Sequence, residues 1–161
     1  MKTLKTLTII TLALCSIFSA TAKDRVKDDA KCSKADNIVG NYLIVDESGT
    51  TNARIYKLKD GTYNCQMTGQ KPAYGKDGKL LLDELNPEPK YRSIPLHQSI
   101  IISGLVYNAE KKQWDGGKIH NPLKRLEKAN CTVDFVDGGK TIRVFGNLMG
   151  IGKNVYWQVA E

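Results

Sequence analysis

The sequence has 161 residues, with 24 Lys and Arg against 17 Asp and Glu, a formal net charge of +7 and 41% hydrophobic residues. That length suits one domain with an ordinary core and excludes two comfortable ones. The basic excess is modest and its lysines are scattered among acids, as at Lys57, Lys59 and Asp60 or Lys76, Asp77 and Lys79, a pattern of solvated hairpin loops that argues against a nucleic-acid partner.

The chain opens with MKTLKTLTIITLALCSIFSATA, in which Lys2 and Lys5 precede an uncharged run from Leu7 to Phe18 that ends in Ala20-Thr21-Ala22. This predicts a secretory signal peptide over residues 1–22, cleaved after Ala22. The run is shorter than the roughly 20 apolar residues that span a bilayer, so no membrane span is expected. Leu14 stands before Cys15, where lipoprotein signals want a small residue. Cleavage leaves 139 residues with a net charge of +5, and places the protein in a periplasm or outside the cell.

Residues 23–36, KDRVKDDAKCSKAD, are charged and offer almost nothing to bury, so they predict a flexible leader. Residues 37–161 then form a single domain. Its apolar residues follow a period of two, broken at short intervals by turn residues, which is the pattern of antiparallel strands in an up-and-down arrangement. Strands are predicted over Ile38 to Val45, Ala53 to Leu58, Thr62 to Thr68, a short stretch near Leu80 to Leu82, Ser99 to Tyr107, Gln113 to Ile119, Cys131 to Val136, Thr141 to Leu148 and Asn154 to Val159. Asp60-Gly61, Asp137-Gly138-Gly139 and Gly150-Ile151-Gly152 supply residues for tight hairpins. Asn86 to Ile94, with two prolines, predicts a long irregular connection.

The last three strands place Cys131, Val133 and Phe135, then Ile142, Val144, Gly146 and Leu148, then Val155, Trp157 and Val159 on one dry face. No convincing amphipathic helix is available to cover that face. Closure of the sheet on itself buries it and removes the edges, so the expected fold is an all-β, antiparallel up-and-down β-barrel of about eight strands. The interior of such a barrel is filled by side chains or holds one small ligand.

In QWDGGKIHNP, Gln113 to Pro122, strict alternation puts Trp114 and Ile119 on opposite faces. A bulge at Gly116-Gly117 adds the residue that brings both inward, which makes the double glycine a barrel corner and Trp114 a core plug. Asn121-Pro122 then turns the chain out of the sheet.

Several of these motifs, in this order, resemble a known family. Trp114-Asp115-Gly116-Gly117-Lys118-Ile119 with Asn121-Pro122, then Ile142-Arg143-Val144-Phe145-Gly146, then Trp157, are similar to the small exported bacterial proteins grouped as domain of unknown function 2147. Ile38-Val39-Gly40-Asn41-Tyr42, Tyr56 with Asp60-Gly61, and Gly104-Leu105 agree more loosely. The resemblance runs from about Ile38 to the end and implies a lipocalin-like barrel; it supplies no activity and no catalytic residues.

The chemistry-bearing residues point away from catalysis. His97 and His120 have no metal-ligand spacing, Asp83 and Glu84 are neighbours that a strand would point to opposite faces, and neither a nucleophile elbow nor a phosphate loop occurs. No metal, cofactor or catalytic residue is expected. The leading expectation is a non-catalytic binder of a small apolar or amphipathic ligand or envelope component, lined by Trp114, Phe135, Trp157 and Met67 with Lys118 and Arg143 at the rim. For the four apolar residues the competing expectation is a filled core. Tyr156 is a further lining candidate, but it alternates with Trp157, so at most one of the two faces the interior without a bulge. An interaction module acting through its loops on an envelope protein is the alternative, and an envelope-associated hydrolase the third. Cys32, Cys65 and Cys131 allow three disulfide pairings in an oxidising compartment, with one thiol left over.

Overall fold

A computed structural model describes residues 25–46, 49–71, 73–122 and 129–160. The expected signal peptide, residues 1–22, lies outside them. The described chain forms eight strands, β1 (Gly40–Asp46), β2 (Gly49–Lys57), β3 (Tyr63–Lys71), β4 (Ile100–Asn108), β5 (Gln113–Ile119), β6 (Ala129–Val136), β7 (Thr141–Leu148) and β8 (Ile151–Val159). Each pairs antiparallel with the next, and β8 returns to β1, closing an up-and-down barrel. The expected stretch near Leu80 to Leu82 is not a barrel strand. Its residues make isolated bridges, Tyr74 to Leu80 and Leu82 to Pro95, inside the long connection between β3 and β4.

The alternation of the sequence becomes the wall of the barrel. Across β7 and β8, Ile142 pairs with Trp157 and Val144 with Val155, while the intervening Arg143 pairs with Asp134 on β6. The β7–β8 turn falls one residue earlier than expected. Leu148 pairs with Ile151, so Met149 (φ 52) and Gly150 (φ 85) are the two loop residues and both are left-handed, as a tight hairpin of this hand requires. Gly152 belongs to the strand instead and lies under Phe145, where an added Cβ would sit 2.3 Å from the ring.

The bulge in β5 forms as the pattern predicts. Trp114 pairs with Val133 and Gly117 with Cys131, so three steps on β5 face two on β6. Gly116 takes the extra step at φ 72. Trp114 is thereby fully buried. Gly117 is inside too, and a Cβ there would come 2.6 Å from Leu105 Cδ2 and 2.8 Å from Cys131 Sγ.

The charged segment before Asn37 does not behave as a free leader. It makes two short 3-10 turns, Lys31–Ser33 and Ala35–Ile38, that cover one end of the barrel. Cys32 and Ile38 are fully buried. The Ala35 carbonyl accepts the Trp114 indole N–H at 2.9 Å, the Cys32 carbonyl accepts Tyr107 Oη–H at 2.7 Å, and Cys32 Sγ accepts the Phe135 N–H at 3.2 Å. Asp36 accepts from Lys57 Nζ at 2.8 Å and from the Tyr63 hydroxyl at 2.5 Å. The charges point to solvent, and the few apolar residues among them supply the buried face. This end, the base, also carries the β2–β3, β4–β5 and β6–β7 turns. β1, β3, β5 and β7 end, and β2, β4, β6 and β8 begin, at the opposite end, the mouth.

Two outcomes test this account. Gly117→Ala should destabilise the fold by about 1–3 kcal/mol in urea denaturation, because the new methyl overpacks a closed core. The Lys57 ammonium, then the Tyr63 hydroxyl, hold the Asp36 carboxyl below its ordinary value near 3.8. A lowered folded pKa contributes stability that is fully present above the ordinary carboxylate range and is lost as pH falls through the lowered value. Asp36→Asn should therefore lower Tm at neutral pH and converge on the wild type in acid, as followed by thermal melts across that range.

Candidate functional site

The base and the mouth are built differently. At the base, Trp114 packs edge-on to Phe135 at 5.9 Å and tilted against Tyr107 at 5.3 Å, beneath the N-terminal segment. These aromatics fill the interior there. At the mouth the β1–β8 ladder is short: β8 meets β1 through Tyr42–Val159 and Leu43–Gln158. Ile44–Asp46 pair on their other side with β2, and the first half of β8 with β7.

A cavity of about 400 Å³ opens at that end, within the range of small-molecule sites. Ile44, Met67, Ile101, Ile119, Val155 and Trp157 give it apolar walls, and Asp46, Thr51, His120 and Asn121 contribute polar ones. The lining comes from β1 to β5 and β8, and on β1 and β8 it takes consecutive residues, Ile44 to Asp46 and Val155 to Trp157, where the two strands flank the opening.

The expected site residues divide among three places. Met67 and Trp157 lie at the cavity. Trp114 and Phe135 are base core, 0% and 1% exposed. Lys118 points outward to Asn130 Oδ1. Arg143 lies on the outer wall, where Nε and Nη2 grip both oxygens of Asp134, the Nε contact at 3.0 Å. Arg143 lies toward the base end of β7, whereas Lys118 is next to Ile119 at the mouth end of β5 but turns its side chain to the outer face.

A polar cluster that spacing did not indicate stands behind the cavity wall and reaches it through His120. His120 Nε2 meets Asp83 Oδ1 at 2.8 Å, with the two side chains 3% and 1% exposed. Asn86 Nδ2 donates to the other Asp83 oxygen at 2.8 Å, and the Asp83 N–H donates to the Ile94 carbonyl at 2.9 Å. Arg92 Nε closes the set on the Asn86 carbonyl at 2.8 Å. The irregular connection is thus ordered around one buried carboxylate. His120 Nδ1 and Ser99 Oγ are buried side-chain atoms with no hydrogen-bond partner. Asp83 and His120 are 37 residues apart, so no motif joins them; the single signal was a histidine ending a strand next to a turn-forming Asn-Pro. Among the described residues no group of histidines, cysteines and acids is placed to hold a metal ion.

Cys32, Cys65 and Cys131 are free, buried thiols, with no disulfide among them. Cys65 lies on β3 and Cys131 on β6, which are not neighbours in the sheet, and Cys32 is held against Phe135 in the base. Burial raises all three pKa values, that of Cys131 to about 12. Neutral, enclosed thiols are inert.

What these elements define is a small antiparallel β-barrel, shut at one end and hollow at the other. The chain belongs to the bacterial family described as "Uncharacterized protein conserved in bacteria (DUF2147)", which it matches over residues 40–159. No curated protein and no solved structure matches it. The family match starts at β1, after the segment that covers the base.

An aromatic disulfide reagent should leave Cys32, Cys65 and Cys131 unmodified in the folded protein at pH 8 and label all three once denaturant is added. Mass spectrometry of the labelled peptides checks each site, and rapid labelling of Cys32 in particular would contradict a packed base.

Proposed function

We propose that this protein is an exported, non-catalytic binder of a small apolar or amphipathic molecule, or of an envelope component with such a group, held at the mouth of the barrel. The observation that carries the reading is the cavity of about 400 Å³, walled by Met67, Ile101, Val155 and Trp157 at one end of a barrel whose other end is plugged. A one-ended apolar pocket retains a ligand by removing its apolar surface from water, and a few polar groups orient it. Export rests on the charged start, uncharged run and small-residue triplet of residues 1–22. Among the described residues no helix is long and apolar enough to cross a membrane.

The second reading, an interaction module, draws on the long connection, where Tyr74 is 60%, Leu85 39% and Tyr91 38% exposed. Apolar side chains grouped on one loop suit a protein partner. The cavity favours the first reading, since an interaction module has no use for interior volume.

Val155→Trp should fill the cavity and weaken an environment-sensitive apolar fluorophore by at least about tenfold, a loss of about 1.4 kcal/mol. Trp114→Phe, at the plugged base, should leave that affinity unchanged while lowering Tm. Titration of both variants checks this, and native mass spectrometry of protein purified from its own cells identifies any molecule carried. Equal binding by the wild type and Val155→Trp would overturn the site.

A further inference from the structure

The β7–β8 hairpin reaches past β1 at the mouth. Tyr42 pairs with Val159 and Leu43 with Gln158, and continuing that register puts Asp46, the last residue of β1, opposite Val155. No residue of β1 stands beside Ile151–Asn154, which overhang it by about 13 Å at roughly 3.3 Å per residue. Residues 149–154 are all exposed. The side chains at this tip are the reverse of what a hairpin in water needs. Met149 is 92% exposed and Ile151 80%. Met149 also holds φ 52, in a turn position that Asn, Asp or Gly fills readily and a methionine fills under strain. A polar residue there suits the fold better, so the apolar tip serves a contact outside the chain.

The charge at the tip indicates what that contact is. Residues 141–159 include Arg143 and Lys153 and no acid. Arg143 is held by Asp134 on the outer wall, whereas Lys153 is exposed at the tip, two residues behind Ile151. Apolar side chains at the point with an ammonium one step behind match the layering of a bilayer, acyl chains beneath phosphates. A protein partner is a poorer fit, since a specific interface takes about 800 Å² from each side and a projecting hairpin turn offers far less. We propose that the β7–β8 tip docks the mouth on a membrane bearing anionic headgroups, with Met149 and Ile151 in the acyl boundary and Lys153 at the level of the phosphates. Val45, across the opening on β1 and 63% exposed, adds an apolar side chain to the same end. Along β8 the face that carries Ile151 and Lys153 carries Val155 and Trp157 further in, where they line the cavity. That a ligand enters from the membrane by this face rests on the binding function proposed above; the docking itself does not.

The test mixes protein purified from its own cells with vesicles of phosphatidylglycerol and phosphatidylcholine, or of phosphatidylcholine alone, and reads binding by flotation. The wild type should bind the anionic vesicles at least about fivefold more tightly than the neutral ones, the worth of one lysine at a charged surface. Met149→Asn should lose at least about fivefold in affinity for the anionic vesicles while its Tm holds or rises, because Asn suits the turn; a merely structural role for Met149 requires Tm to fall. The indole of Ile151→Trp should emit further to the blue with vesicles and be quenched by lipid brominated in its acyl chains. No flotation of the wild type, equal binding by Met149→Asn, or an unquenched indole overturns the docking. A wild-type dimer that Met149→Asn dissociates gives the tip to a second copy and overturns it too. An apolar fluorophore should enter the cavity of Met149→Asn as it does that of the wild type, so failure of docking leaves cavity binding standing. Failure of the wild type to bind the fluorophore overturns the binding function and leaves the docking standing.

Discussion

The rest of the structure depends on the hydrogen bond from the Trp114 indole to the Ala35 carbonyl, made at the centre of the base. It joins the N-terminal segment to β5 and satisfies the polar end of the largest side chain in the core. Around it, Phe135 and Tyr107 close against the indole, and Cys32 and Ile38 seal the layer beneath. Because those side chains fill the base, the interior volume left over is gathered at the other end. A barrel packed evenly along its length would have none to spare.

The mouth is organised by the opposite kind of chemistry. There the long connection packs Leu81 and Leu96 on the core and is held by a carboxylate, an amide, a guanidinium and an imidazole that hydrogen-bond in sequence. Such a network gives little net stability, since each group loses water in forming it, but it fixes one geometry because few arrangements satisfy every member. The aromatic base supplies stability and the polar mouth supplies shape.

The barrel was legible in the sequence because one-sided burial writes a period of two, and Ile142, Val144, Val155 and Trp157 follow it without exception. The bulge was legible for the same reason: the phase of Trp114 and Ile119 conflicts unless one residue is added, and two glycines stand where it must be. Met67 and Trp157 were identified as lining residues by type, yet the same criterion chose Trp114 and Phe135, since a period tells inward from outward and says nothing of position along the barrel axis. The N-terminal segment was misread because its composition is dominated by charges that stay in solvent; the spacing of three between Cys32, Ala35 and Ile38, which suits 3-10 turns, was the signal it carried. The Asp83–His120 pair left no trace, because a contact across 37 residues depends on where an irregular loop lands.

The seam between β1 and β8 joins the first strand to the last, with Tyr42 against Val159. The base has the same long reach, since Cys32 meets Phe135 across 103 residues. The seam needs nearly the whole chain and the base needs it through β6, so the barrel cannot close until β8 has been synthesised. Loop-closure entropy delays such contacts in any case. Until the final strand arrives, the apolar faces of the preceding seven have no enclosed interior to enter. The protein therefore passes through its most adhesive state immediately before completion, and its C-terminal nine-residue strand acts as the latch that ends it.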